Sequence, residues 1–188
     1  MMIVMPNRST DFVVCIFIFL ACCYISASVP SCKVYQSTHV DCTYRDLTSV
    51  PRHLPSSTTH LDLSYNHIAN LLPRDFENLH SLEELTMWIA DDLHIDSGTF
   101  VGLQRLRLLR FLGNGYLTFG KETFKHLSSL QTLESPIKSV TYMPEYVFSN
   151  LTNLSKLSIR VPAQVRADYT LLTIVTVARP AILRRILL

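Results

Sequence analysis

The feature that most constrains this sequence is a set of apolar residues that recurs every 24 positions. Two of the columns are Leu61, Leu85, Leu109, Leu133 and Leu157, and Phe76, Phe100, Phe124 and Phe148. Two further columns are Leu79, Leu103, Leu127 and Leu151, and Leu82, Leu106, Leu130 and Leu154. A fixed period of this length indicates a solenoid, in which each unit buries its apolar side against its neighbours.

Within one unit the pattern reads L-x-x-L-x-L-x-x-N-x-L, followed by Phe and two further Leu. Over residues 59–160 it resembles the leucine-rich repeat. The resemblance implies a short strand at each L-x-L, stacked into a curved parallel sheet with an irregular convex side. We therefore expect an α/β-type leucine-rich repeat solenoid with an N-terminal disulfide cap. Its units 1 to 4 are predicted at residues 61–84, 85–108, 109–132 and 133–156, before the start of a fifth.

Asn66 stands where the first strand ends and the backbone turns inward. A side-chain amide offers both donors and an acceptor to backbone groups that neither strand nor helix satisfies there. In leucine-rich repeat proteins such asparagines stack as a ladder, which the resemblance implies for Asn66 and Asn114. Ala90 and Lys138 occupy the same column, so we expect looser turns in units 2 and 4.

Residues 29–58 precede the repeats and contain Cys32 and Cys42. Two cysteines ten residues apart in an oxidising compartment most simply pair with each other. Two free thiols or a metal pair are the alternatives, but no partners stand at zinc-ligand spacing. The segment resembles the cysteine-bearing N-terminal cap of extracellular leucine-rich repeat proteins, through Val40-Asp41-Cys42, Leu47, Val50-Pro51 and Leu54-Pro55.

Cap and units together look most like the N-terminal part of a Toll-like receptor ectodomain. Secreted proteoglycans and lymphocyte-receptor-like proteins use related units, generally with more cysteines in the cap. The resemblance implies non-enzymatic extracellular recognition of a protein or microbial ligand, in innate immunity, with a second copy or another receptor as further partners. The alternative is a secreted matrix interaction protein or a soluble decoy.

Residues 1–28 have the composition of a secretory signal peptide. One basic residue, Arg8, precedes a fourteen-residue apolar run over 12–25, and small residues follow it. The alternative is an uncleaved membrane anchor, but a bilayer span needs about twenty apolar residues. We therefore expect a secreted chain.

In residues 161–188 the repeat pattern fails, and an aliphatic run from Leu171 to Ala178 is also too short to span a membrane. Either this tail improvises a cap, or the chain is the N-terminal piece of a longer cell-surface receptor.

Residues that flank the strand leucines are predicted to face the concave side. Several large apolar groups stand there. Aromatic residues and arginine are enriched at binding hot spots, and an exposed apolar patch often marks an interface. The candidates for ligand binding are Tyr65, Trp88, Ile89, Arg110, Leu112, Glu134 and Ile137. The alternative for Trp88 is that it covers the irregular second unit. Asn150 and Asn153 begin two N-x-[ST] sequons, which predict glycosylation of one or both.

Other functional classes find little support in the sequence. It contains no H-E-x-x-H motif and no G-x-S-x-G motif, so we expect no catalytic residue, no metal ligand and no cofactor. The formal net charge is +2 with scattered Lys and Arg, which does not indicate nucleic-acid binding.

Overall fold

The structure, a computed structural model, describes residues 32–135, 139–142, 147–159 and 175–177. The predicted leader, Ile137 and Lys138, and most of the predicted tail lie outside these ranges. No helix in the described ranges has the length and hydrophobicity that crossing a membrane requires.

Twelve short strands are described, numbered here in chain order. Those of the larger sheet are β1 (Lys33–Tyr35), β2 (His39–Asp41), β3 (His60–Asp62), β5 (Glu84–Ile89), β7 (Leu108–Gly113), β9 (Thr132–Ser135), β11 (Lys156–Ile159) and β12 (Val175–Val177). Those of the smaller sheet are β4 (Asn70–Leu71), β6 (Leu93–Ile95), β8 (Tyr116–Phe119) and β10 (Ser139–Tyr142).

The larger sheet is the stack of L-x-L strands that the sequence predicts. From β2 to β11 all neighbours are parallel, and the outer strands β1 and β12 pair antiparallel with β2 and β11. The register joins Leu61 to Leu85, Leu85 to Leu109, Leu109 to Leu133 and Leu133 to Leu157. The 24-residue period is therefore the pairing register of the sheet, and the predicted solenoid with a parallel sheet is confirmed.

The chain returns from one unit to the next through turns and the smaller sheet. All pairings in that sheet are parallel, so each unit in this region contributes one short strand to it. Within the described ranges the returning segments contain no α-helix.

The core lies between the strands and the returning segments. The strand residues Leu85 and Leu109 are fully buried there, as expected because successive strand side chains point to opposite faces. Leu106, which precedes β7, is fully buried with them. The phenylalanine column forms a continuous stack: the ring centroids of Phe76 and Phe100 are 6.0 Å apart, and those of Phe100 and Phe124 are 6.1 Å apart. Each ring thus buries its faces against the neighbouring units, which is how units that cannot fold alone stabilise one another.

A disulfide joins Cys32 to Cys42 at the start of the solenoid, as predicted. The Cys42 side chain is fully buried against the core. The cross-link holds β1 and β2 together as an antiparallel pair. Strand β2 in turn pairs with β3, the first strand of unit 1. In the chain-entropy model so short a closed loop stabilises by about 2–3 kcal/mol.

Asn66 satisfies the backbone at the junction of the cap and unit 1. Its Oδ1 accepts hydrogen bonds from the backbone N–H groups of Arg45 and Leu47, both at 3.0 Å. Its Nδ2 donates to the carbonyls of Cys42 at 2.9 Å and Leu63 at 2.8 Å. A single buried amide therefore serves two successive turns, as the sequence predicts for this position.

Asn114 does not continue this arrangement, and the prediction that it belongs to a ladder is wrong. Its side chain is exposed and makes no hydrogen bond within the described residues. Instead the backbone N–H groups of Asn114 and Gly115 both donate to Ile89 O, at 3.0 and 3.2 Å. A Cβ at Gly113 would overlap that carbonyl, so glycine lets the backbone of unit 3 come close enough to replace the asparagine side chain.

The turn of unit 2 has alanine at the ladder position. A cavity of about 50 Å³ lies there between the turns of units 1 and 2, with Asn66 and Ala90 among its lining residues. Lys138, the corresponding residue of unit 4, is outside the described ranges, so the looser turn expected there stays a prediction.

These contrasting asparagines give a matched pair of variants. We expect Asn66→Ala to lower the free energy of unfolding by about 3 kcal/mol, because several buried backbone groups lose their partners. We expect Asn114→Ala to change it by less than about 0.5 kcal/mol. Urea unfolding followed by circular dichroism measures both. Equal losses for the two variants would contradict the assignment.

Candidate recognition surface on the open face

The face of the larger sheet that points away from the core is called the open face here; it is the face predicted to be concave. Its side chains alternate with the buried leucines along each strand. At its N-terminal edge the rings of His39 and His60 stack with centroids 4.0 Å apart. The Nε2 of His60 lies 3.5 Å from Oε1 of Glu84 on the next strand.

The next column of the open face begins with two aspartates that close local turns. Asp41 Oδ1 accepts hydrogen bonds from the Thr43 backbone N–H at 2.8 Å and from its hydroxyl at 2.7 Å. The Thr43 hydroxyl is the main cause that lowers the pKa of Asp41. Asp62 Oδ1 accepts from the Ser64 N–H at 2.9 Å. Both carboxylates therefore serve the fold.

Three aromatic rings form a stack across the cap, unit 1 and unit 2, called the aromatic row below. The ring centroids of Tyr44 and Tyr65 are 4.3 Å apart with an interplanar angle of 6°, and those of Tyr65 and Trp88 are 5.3 Å apart at 18°. The rings remain 68%, 41% and 37% exposed, in chain order. This is an apolar surface that the fold leaves open to solvent.

Backbone hydrogen bonds hold the aromatic row in place. The Tyr44 N–H donates to Ser64 O and the Tyr65 N–H donates to Trp88 O, both at 3.3 Å, while the Trp88 N–H donates to the Ser64 hydroxyl at 3.0 Å. Tyr44 and Tyr65 have φ angles of 53° and 59°. This left-handed backbone is uncommon for residues other than glycine, and it occurs at matching points in the cap and in unit 1.

The stack also affects the chemistry of its outermost phenol. Desolvation beside the neighbouring ring raises the pKa of Tyr44. A tyrosine phenol is already neutral at physiological pH, and the shift acts in the same direction.

A polar row follows the aromatic row two or three residues further along each turn. It consists of Asp46, His67 and Asp91. The Nε2 of His67 lies 3.7 Å from Asp46 Oδ1, and its Nδ1 lies 3.9 Å from Asp91 Oδ2. Trp88, His67 and Asp91 line the same cavity of about 50 Å³, so the two rows lie side by side.

A cluster of charges occupies the other half of the open face. Glu134 accepts a hydrogen bond from Arg110 Nε at 2.8 Å and another from Lys156 Nζ. These two donors, Lys156 first, hold the pKa of Glu134 below its ordinary value. Only 17% of the Glu134 side chain is exposed, whereas the two cations reach solvent.

The structure places the predicted binding residues unequally. Tyr65, Trp88, Arg110 and Glu134 lie on the open face, and Leu112 at the end of β7 is partly buried. The prediction that Ile89 faces the same side is wrong, because its side chain is 6% exposed and belongs to the core. Strand β5 runs regularly to Ile89, so alternation puts it on the side of Leu85 and Met87. Ile137 lies outside the described residues.

Tyr44 is the member of the aromatic row that sequence reasoning missed. The cap pairs with unit 1 at a step of 21 residues, with Val40 opposite Leu61. A search at the 24-residue period passes over this step. The signal that could have found Tyr44 is the equal spacing of Val40 to Leu61 and of Tyr44 to Tyr65.

The described ranges contain no group of three or more His, Cys, Asp or Glu side chains arranged to hold a metal ion. The carboxylates discussed above are engaged in turns, in ion pairs or in the polar row. The open face thus presents exposed rings next to charged groups.

Comparison with known proteins agrees with this architecture. In the crystal structure of the TLR13–ssRNA13 complex, 19% of the receptor chain superposes on 70% of this chain, with a TM-score of 0.60 and 33% sequence identity. This chain has the leucine-rich repeat fold. No protein-family model matches it.

Curated relatives are leucine-rich repeat receptors. Toll-like receptor 9 of Homo sapiens is 31% identical over 159 residues, which covers 73% of this chain and 15% of the relative. Toll-like receptor 7 of Mus musculus is 30% identical over 133 residues, covering 63% of this chain and 12% of the relative. Leucine-rich repeat-containing G-protein coupled receptor 5 of Xenopus tropicalis is 47% identical over 75 residues, covering 40% and 8%.

The predicted resemblance to leucine-rich repeat receptors, Toll-like receptors among them, is confirmed. This leucine-rich repeat chain spans between 8% and 15% of the length of the relatives just named.

The charge cluster predicts a pH-dependent contribution to stability. We expect Glu134→Gln to lower the free energy of unfolding by about 1 kcal/mol at pH 7, since two charge-assisted hydrogen bonds weaken. Because the folded-state pKa of Glu134 is lowered, its contribution is present above the unfolded pKa and is lost as the pH falls through the folded pKa. The difference between variant and wild type should therefore vanish in acid.

Urea unfolding at pH 7 and pH 3 measures this difference. Glu77→Gln, which alters an exposed carboxylate on a returning segment, is the matched control and should have no effect at either pH. A loss for Glu134→Gln that persists undiminished at pH 3 would contradict the assignment.

Proposed function

We propose that this leucine-rich repeat chain is a non-enzymatic extracellular recognition module that binds a protein or microbial ligand through its open face. The observation that carries the proposal is the aromatic row, whose three large rings are held in register and left exposed beside charged groups. Exposed aromatic residues and arginines are typical of binding hot spots. Tyr65, Trp88, Arg110, Leu112 and Glu134 are the proposed contact residues, with Tyr44 added by the structure.

The setting we propose is an innate immune receptor or a soluble relative of one, with a second copy or another receptor as a further partner. Similarity to Toll-like receptors 7 and 9 supports this setting. The disulfide supports an oxidising compartment.

Passage through the secretory pathway is part of the same proposal. Asn150 and Asn153 both have exposed side chains, so glycans attached there would reach solvent. Residues 1–28 would act as the signal peptide. A loss of mass of the secreted chain on enzymatic removal of N-glycans checks the glycosylation.

The test of recognition is a binding screen with the chain fused to an antibody Fc fragment. The screen covers an array of extracellular proteins and microbial products. We expect Trp88→Ala and Arg110→Ala each to weaken a genuine interaction about tenfold or more, because each removes a large contact group from the open face.

Val101→Ser is the matched control, since Val101 is an exposed apolar residue on a returning segment away from the open face. It should leave binding unchanged. Interactions that survive both open-face substitutions, or that are lost equally in Val101→Ser, would contradict the proposal. Circular dichroism of each variant establishes that it is folded.

A further inference from the structure

The aromatic row and the polar row together form a two-part surface at one edge of the open face. Each of the cap, unit 1 and unit 2 contributes one ring and one polar group, in the pairs Tyr44 with Asp46, Tyr65 with His67, and Trp88 with Asp91. The polar row continues into an open cavity of about 470 Å³ lined by Asp91, Asp92, Asn114 and Tyr116 among others. The surface therefore combines exposed rings with two carboxylates, those of Asp46 and Asp91, on either side of the His67 imidazole.

The charge of this surface is negative. Asp46, Asp91 and Asp92 contribute three carboxylates, and Arg45 is the cation in the same turn of the cap. The Arg45 Nε is buried and finds no hydrogen-bond partner among the described residues. The carboxylates of Asp46 and Asp91 are 94% and 78% exposed, so they are open to a partner's charge.

The exposed rings favour a partner side chain with an apolar part. Lysine and arginine carry a long apolar stem and a cationic head, and they cover apolar surface with the stem while the head stays polar. Aromatic rings also attract cations through their faces, and the outer face of Tyr44 is not stacked on Tyr65. A row of rings beside the exposed carboxylates of Asp46 and Asp91 thus matches both halves of a basic side chain.

Three residues of this surface have a left-handed backbone. Tyr44, Tyr65 and Asp46 all adopt positive φ angles, a conformation that glycine or asparagine would adopt at lower cost.

We propose that the two rows bind a basic segment of a protein partner, with arginine or lysine stems along Tyr44, Tyr65 and Trp88 and their heads on Asp46 and Asp91. This inference rests on the proposed function and names the class of partner that the open face takes.

Trp88 is the only tryptophan of the chain, so its fluorescence reports directly on this surface. The probes are three capped peptides of alternating residues: arginine with serine, citrulline with serine, and glutamate with serine. Alternation places the arginines on one face of an extended peptide. We expect a saturable change of Trp88 emission with the arginine peptide, weakened by added salt, and none with the other two.

The double variant Asp46→Asn with Asp91→Asn tests the acidic groups. Asparagine tolerates the left-handed backbone at position 46, and we expect about tenfold weaker binding of the arginine peptide. Tyr44→Ala should weaken binding severalfold, and Glu77→Gln should leave it unchanged. Thermal melting of each variant monitors folding.

The outcomes separate this inference from the proposed function. Equal binding of the citrulline or glutamate peptide would overturn the basic class of partner while leaving open-face recognition in place. Absence of any response to the arginine peptide, or a response that the aspartate variant retains in full, would also overturn it. The binding screen with Trp88→Ala and Arg110→Ala decides the proposed function by itself.

Discussion

In-register stacking of 24-residue units is the constraint on which the rest of the structure depends. A single unit cannot bury its own apolar surface, and it becomes stable only when the next unit covers that surface. The paired leucines of the larger sheet and the phenylalanine stack keep the same register on two sides of the core. The cap closes the start of this array. The Cys32–Cys42 disulfide cross-links the cap internally, and the Asn66 amide joins the cap to unit 1.

The same register creates the recognition surface. Because strands are parallel and in step, residues at corresponding points of neighbouring units line up on the open face, and rings or charges placed there form rows. The aromatic row, the polar row and the Arg110–Glu134–Lys156 cluster all arise in this way. Burial of the core and presentation of the open face are thus two results of one pairing pattern.

Much of the fold could be predicted from the sequence, because the leucine and phenylalanine columns state the register directly. Prediction failed where two residues 24 positions apart have different backbone conformations. Tyr65 and Ile89 are 24 residues apart, but β3 ends at Asp62 whereas β5 runs on to Ile89. Tyr65 therefore turns outward through a left-handed backbone, and Ile89 continues the alternation into the core.

The prediction that Asn114 belongs to an asparagine ladder failed for a related reason. The glycines beside it let the backbone N–H groups of unit 3 bond directly to the turn of unit 2, so no asparagine side chain is needed there. Tyr44 escaped notice because the cap joins the array at a step of 21 rather than 24. The 24-residue period therefore predicts the core residues well and the residues of the exposed rows less well. The exposed rows depend on how far each strand extends before it turns.

The most direct test of this account is a nuclear Overhauser measurement between the rings of Tyr44, Tyr65 and Trp88 in the folded, secreted chain. The account predicts cross-peaks from the Tyr65 ring to both other rings, because its centroid lies 4.3 Å from that of Tyr44 and 5.3 Å from that of Trp88. Cross-peaks from Tyr65 to the side chain of Ile89 in place of Trp88 would mean that Ile89, 24 residues after Tyr65, takes the equivalent outward position in unit 2. The aromatic row would then not exist, and the account of the open face would be contradicted.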